Sequence, residues 1–355
     1  MITIHFNRIG LAHQGSGPDD VFTISFYGDA NNKVQAAHFT HQNVTAGVTA
    51  IRALLPPSTH LSALDTIVSA HSLSTAFGRS VAYTALYEGT SFATLESSKL
   101  FESDLGMTYD TDGLFIVLIS GPTEGSSSPI DDVMSTHQLG LPPRTILFLK
   151  PPHLNAVVDA IIGNAKKSFL FPFAWRHKLA GIFEGYFTKE SLWDRLVLDN
   201  ARSAVFGEDA PSIRAVIVSE GTVPTSLLTP ARIALSVPLV IAHTHPLVCA
   251  PVMASHPQDV QTFTATSIQD FTHVGPPTVN IEVKLIGVDD GAVERGDDPE
   301  GVLYVRGPIV GRVPSLTDGQ EADEEPKIEE PWVSTGNRAR VQTNGAFKAW
   351  ATVKA

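Results

Sequence analysis

Between about residue 20 and residue 245 the chain alternates short apolar, β-branched runs with segments whose apolar residues recur at three- and four-residue steps. A strand that is apolar without interruption is buried on both faces, and a parallel sheet sandwiched between helices provides two such faces. The alternation predicts an α/β fold, a parallel sheet with helices on both faces. Candidate strands are 66–70, 114–120 (LFIVLIS), 145–150 (TILFLK), 213–219 (IRAVIVS) and 238–242, each bounded by Gly, Pro, Ser or charge. Helices fit between them. Asn43 reads as the cap of VTAGVTAIRALL, Pro151 and Pro152 open HLNAVVDAIIG, and 173–205 carries the helical period. The aromatic series Phe169, Phe171, Phe173, Trp175, Phe183, Tyr186, Phe187 and Trp193 reads as a helix core rather than a ligand cage.

After about residue 275 the period changes. TVNIEVKLIGV (278–288) alternates every second residue, GVLYVRG follows, and QTNGAF sets Asn-Gly between two strand-like runs, a strong hairpin signal. A small antiparallel sheet is expected there. TDGQEADEEPKIEEP (317–331) has little to bury and reads as an acidic loop, and GPTEGSSSP (121–129) as an exposed turn. The expected division is an N-terminal segment 1–20, an α/β domain 21–270 and a β-rich subdomain 271–355, with no internal repeat.

Charge narrows the function classes. The 37 acidic and 25 basic residues give −12, which provides no basic stripe for nucleic acid or for an anionic membrane. Cys249 is the sole cysteine and has no internal disulfide partner, and MITIHFNRIG lacks the apolar stretch of a signal peptide. An intracellular, cytoplasmic protein is expected. No apolar run reaches the roughly 18 residues of a membrane span.

Two chemical constellations fail on spacing. His243-Thr244-His245 with His256 lacks the acidic or cysteine partner of an established zinc pattern, so no metal site is expected. Ser219-Glu220-Gly221 lacks the Gly-x-Ser-x-Gly elbow of a serine hydrolase.

Eight phrases in fixed order carry a likeness. They are FTISFYGDANNKVQAAHFTHQN (22–43), STAFGRSVAYTALYEGTSFATL (74–95), SLWDRLVLDNARSAVFG (191–207), AVIVSEGTVPTSLL (215–228), VPLVIAHTHPLVCAPVMASHPQDV (237–260), HVGPPTVNIEVKLIGV (273–288), GVLYVRGPIV (301–310) and WVSTGNRARVQTNGAFKAW (332–350). Together they resemble the AMP-forming adenylating superfamily, most closely its long-chain fatty acyl-CoA synthetase branch. The resemblance implies part of that family's N-terminal domain, an ancestral ligation of a long-chain fatty acid to CoA at the expense of ATP with Mg, and a peripheral place at the endoplasmic reticulum. It also implies nucleotide-binding positions: Gly28, Asn31, Asn32 and Lys33 in the phosphate loop, Gly221 and Thr222 in the adenine-side turn, His243 and Thr244 where the family has Tyr-Gly, and Asn337 where its aspartate grips the ribose.

The chemistry-bearing positions depart from that pattern. The loop keeps one glycine, no hydroxyl follows it, Gln35 stands at the lysine position and Asp29 brings negative charge toward phosphate. Pro246 and Leu247 stand where a phosphate-contacting threonine and a magnesium-ligating glutamate are expected, and an isobutyl group offers a hard cation nothing. Asn337 keeps an acceptor but loses charge-assisted bonds of about twice the strength. Thr75 stands where the family often has a histidine beside the acyl tunnel. The family's C-terminal domain, with its catalytic lysine, and much of its N-terminal part lie outside these 355 residues. Each lost electrostatic group costs about 10²–10³ in rate, and together on the order of 10⁵. The expectation is a catalytically impaired ligase-like protein. Also open are a non-enzymatic binding or scaffold protein, with a protein partner or self-association, and a fragment of an active ligase.

Overall fold

The computed structural model describes residues 17–28, 33–56, 60–94, 116–118, 142–263, 270–313 and 331–351. Strands β1 (Val21–Gly28) and β2 (Val34–Thr40) pair as an antiparallel hairpin that closes at Gly28 and Val34. Its alternation runs inside out. Ser25 is buried, accepting a hydrogen bond from the Arg79 guanidinium, while Phe22, Ile24 and Phe26 face outward. Helix α1 (His41–Arg52) follows directly. Its cap is Thr40, not Asn43: Thr40 Oγ1 accepts from the Asn43 N–H, and Asn43 Oδ1, one turn in, accepts from the Thr40 N–H at 2.8 Å. That reciprocal box satisfies two donors where a lone cap satisfies one.

The main sheet contains β3 (Thr66–Ser69), β4 (Ser91–Thr94), β5 (Ile116–Leu118), β6 (Ile146–Leu149), β7 (Ala215–Val218), β8 (Leu239–His243) and β9 (Met253–Ala254). Its order is β5-β4-β3-β6-β7-β8-β9, parallel except where β9 runs against β8. The apolar runs behave as the two-sided burial argument requires: Ile67, Val68, Ile146, Leu147, Val216, Ile217, Leu239 and Val240 have no exposed surface. Helices α2 (Ala76–Glu88), α3 (Pro151–Ala165), α4 (Phe171–Phe183), α5 (Asp199–Phe206) and α6 (Thr225–Leu235) connect the strands. Proline opens α3, as its fixed φ and missing N–H favour.

The expected helix over 173–205 is two helices. The chain leaves α4 at Glu184 because Gly185 takes φ +76° and the Tyr186 N–H bonds back to the Gly181 carbonyl, then re-enters through a π-helical turn, Asp194–Leu198. Buried Asp194 ties the two together, accepting from Lys178 Nζ and Ser191 Oγ at 2.6 Å and facing Arg202 at 2.9 Å. The aromatic series does not form a core as expected. Phe171, Trp175 and Trp193 pack against the core, but Phe169 is 84% exposed, and Phe173, Phe183 and Tyr186 are more than half exposed. Those four side chains point away from the core, two of them (Phe169 and Phe173) before the break and two (Phe183 and Tyr186) at it.

The second sheet, β10 (Glu282–Ile286), β11 (Glu300–Arg306), β12 (Val333–Val341) and β13 (Phe347–Trp350), is an antiparallel meander with a short α7 (Asp290–Glu294) inside the first connection. Asn344-Gly345 turns β12 into β13, with Gly345 at φ +78°. Hydrogen bonds join this sheet to the rest. Asn43 Nδ2 donates to the Pro308 and Val310 carbonyls at 2.9 and 3.1 Å, the Val274 N–H donates to the Phe347 carbonyl, and the Phe347 N–H donates to the Gly275 carbonyl. A Cβ on Gly275 would lie 2.2 Å from the Ala254 carbonyl, so only glycine fits there. Most of the acidic run 317–331, the turn 121–129, Asn31 and Asn32 lie outside the described residues.

Candidate functional site

Chain direction across the main sheet reverses between β3 and β6, with β4 on one side and β7 on the other. At such a point the loops leaving adjacent strands diverge and open a crevice at the carboxyl ends. His71 follows β3, Lys150 follows β6, and Ser219 and Glu220 follow β7. The His71 ring is fully buried, with Nε2 3.1 Å from Ser219 Oγ and Nδ1 3.4 Å from Glu220 Oε1. Lys150 Nζ lies 3.4 Å from Glu220 Oε2. Burial alone would raise the Glu220 pKa, but hydrogen bonding and charge from His71, then Lys150, outweigh it and hold the carboxyl below its usual range. Glu220 takes φ +61°, a left-handed conformation that costs a side chain with a Cβ about 1 kcal/mol or more.

Beside this trio lies a cavity of about 410 Å³ lined by Thr75, Ala76, Phe77, Glu220, Gly221, Thr222, His243, Thr244, His245, Pro246 and Ala349–Ala351. That volume lies within the range of small-ligand sites. His243 ends β8, and its Nε2 is 3.2 Å from Asn337 Nδ2 on β12, so the second sheet supplies one wall. Burial pushes the His243 pKa down to about 4, aided by His245, and burial pushes His245 down to about 4 as well. Both rings are neutral donor–acceptor groups at physiological pH. His245 Nδ1 accepts from the Leu247 N–H, and its ring stands 6.4 Å from that of Tyr27 on β1.

Four of the expected positions, Gly221, Thr222, His243 and Thr244, line this one cavity, and Asn337 reaches it through His243. Gly28 and Lys33 sit at the two ends of the β1–β2 turn and are not among the lining residues. Leu247, which the resemblance aligns with a magnesium-ligating glutamate, is buried hydrocarbon. Sequence reasoning missed His71, Lys150 and Trp350. The signal for the first two was available: His71 directly follows a candidate strand and Lys150 ends one, and the carboxyl ends of parallel strands collect ligand-facing groups.

No protein-family model matches the chain. Curated relatives do: human long-chain-fatty-acid–CoA ligase 1 is 23% identical over 334 residues, covering 93% of this chain and 41% of the ligase. Rat long-chain-fatty-acid–CoA ligase 5 is 25% identical over 93% of this chain and 42% of the ligase. Among solved structures, O-succinylbenzoate coenzyme A synthetase (MenE) from Bacillus subtilis in complex with AMP superposes with a TM-score of 0.54 at 14% identity, covering 94% of this chain and 50% of that one. A long-chain-fatty-acid-CoA ligase (FadD1) from Archaeoglobus fulgidus does so with 0.54 at 14% identity, covering 95% and 52%. The chain spans about two-fifths of the length of its curated relatives and about half that of its structural ones. It has the fold of an AMP-forming adenylating ligase over that portion and is ligase-like in sequence.

Proposed function

We propose that the chain is a ligase-like protein whose cavity takes the nucleoside end of a nucleotide, and that it does not carry the ATP-dependent joining of a long-chain carboxylate to CoA through to product. The observation that carries this is the chemistry of the cavity wall. Trp350 and Phe77 suit a flat base, and Thr222, Thr244 and the neutral imidazoles suit ribose hydroxyls. A triphosphate meets Glu220 there instead of a cradle of donors, and Lys150 is already opposite that carboxylate. Magnesium fits no better: it takes oxygen ligands, Leu247 supplies none, and among the described residues no three His, Cys, Asp or Glu side chains converge.

Titration calorimetry with adenosine, AMP and MgATP, paired with pyrophosphate release in the presence of palmitate and CoA, tests the reading. Adenosine and AMP are expected to bind with MgATP no tighter than AMP, and pyrophosphate to stay at background. Release at an ordinary enzymatic rate, on the order of 10 s⁻¹, overturns it. A purely binding role is the second reading. It is favoured by the outward apolar face of β1 and β2, where Phe26 and Val34 are more than 70% exposed. We further read 21–270 and 271–355 as the two working units, with the cavity between them.

A further inference from the structure

The cavity of about 410 Å³ has a carboxylate in its wall. Glu220 follows β7, and its side chain is 27% exposed. Its place is held from behind: its oxygens stand 3.4 Å from His71 Nδ1 and from Lys150 Nζ, and a Cβ on the next residue, Gly221, would come within 3.1 Å of the Pro151 ring. Burial opposes ionisation of the carboxyl, but His71 and Lys150 prevail and keep it ionised at neutral pH. An ionised carboxylate has acceptors only, so a ligand that meets it must bring the hydrogens. A cationic ligand would bring them at a cost, because Lys150 already balances the charge and would repel a second cation beside it. A neutral ligand with two adjacent N–H donors meets no such objection, and two parallel N–H···O bonds to one carboxylate are the arrangement in which charge-assisted bonds gain most.

Among the four common bases only guanine has that pair, N1–H beside the N2 amino group. Adenine and cytosine set one amino donor next to a ring acceptor, and uracil sets a single N–H between two carbonyls, so each of these turns a lone pair toward one carboxylate oxygen. The flat walls suit a purine and are already ordered: the Phe77 ring stands edge-on to His71 with centroids 4.9 Å apart, and the Trp350 ring edge-on to Phe271 at 5.7 Å. We propose, resting on the nucleoside reading above, that Glu220 determines the specificity of this cavity and selects guanine over adenine, its two oxygens accepting from N1–H and from the N2 amino group. The resemblance implies adenine beside this turn; a carboxylate there asks for the other purine.

Titration calorimetry of the full chain with guanosine, inosine, 1-methylguanosine and adenosine tests it. A good bidentate pair discriminates by about tenfold or more, so guanosine is expected to bind about 10- to 100-fold tighter than adenosine. Inosine, which keeps N1–H but lacks the amino group, is expected to fall between them, and 1-methylguanosine, whose N1 carries no hydrogen, near adenosine. This series uses the unaltered protein and needs no variant to fold. In E220Q the amide offers one donor and one acceptor, which matches adenine, so guanosine is expected to weaken, adenosine to strengthen and the order of the two to reverse. Loss of packing alone would weaken both. Adenosine bound as tightly as guanosine, or an order of preference unchanged in E220Q, overturns this inference and leaves the nucleoside reading standing. Binding of none of the four nucleosides overturns both.

Discussion

The same three strands, β3, β6 and β7, end in two polar clusters of opposite character. At the amino edge Asp65 is buried, and its oxygens accept from Thr145 Oγ1 at 2.7 Å and from Arg214 Nε and Nη2 at 2.8 and 2.7 Å, with Ser62 closing the set. At the carboxyl edge His71 and Lys150 each stand 3.4 Å from the Glu220 carboxylate, with a cavity beside them and a left-handed residue among them. Short, saturated contacts lock the register of the sheet. Longer ones, with His71 Nδ1 buried and not hydrogen-bonded, leave hydrogen-bonding capacity and strain available to a ligand. A buried ion pair and a ligand-facing one are told apart here by saturation, not by residue type.

If that difference is real, the two edges respond unequally to loss of a carboxylate. Asp65→Ala is expected to destabilise the protein by about 3 kcal/mol in chemical denaturation, because Arg214 and Thr145 lose their acceptor at a buried site. A loss below about 1 kcal/mol would erase the distinction between the edges.

The next effect in size is on pH. His243 and His245 have folded pKa values near 4 against an ordinary 6.5, so the unfolded chain binds more protons between those values, and stability rises with pH across about 4 to 6.5. Because both rings border an open cavity, the two together are expected to contribute on the order of 2 kcal/mol, fully present above that window. Asp65 and Glu220, whose folded pKa values are depressed, add a second loss as pH falls below their ordinary range. A denaturation midpoint that stays flat from pH 7 to 5 would mean that the two imidazoles are not held neutral by burial.

The fold was legible because its strands obey a one-term rule: Ile146–Leu149 and Ala215–Val218 are apolar throughout and have little or no exposed surface. The β1–β2 hairpin was illegible because Phe22, Ile24 and Phe26 alternate as a core face does, yet point outward. Which face turns in was decided by Arg79 on α2, far along the chain, donating to Ser25. The aromatic run after α3 misled for a related reason: helical period identifies a stripe but not whether the sheet beneath still has room for it. At the site, Gly221, Thr222, His243 and Asn337, which come from separate phrases, lie at or beside one cavity. His71 and Lys150 belong to no phrase, and only strand order brings them beside Glu220.

Asn337→Asp sharpens the comparison at the cavity itself. It places a carboxylate about 3 Å from His243, where opposite charge favours the imidazolium. The His243 pKa, followed by NMR, is expected to rise from about 4 toward its ordinary value, and adenosine affinity to rise about fivefold as charge-assisted bonds replace neutral ones. An unmoved pKa would separate Asn337 from the cavity wall.

The smallest effect tests the strain. Glu220→Gln keeps the left-handed backbone and removes a partly exposed pair worth about 1 kcal/mol. Glu220→Gly removes the same pair but frees φ +61° of its Cβ penalty, offset in part by the greater entropy of unfolded glycine. The glycine variant is expected to be more stable than the glutamine variant by about 0.5 kcal/mol, although it lacks more side chain. If instead it is the less stable of the two, the carboxyl edge carries no strain, and its long contacts reflect loose packing rather than a backbone held ready for a ligand.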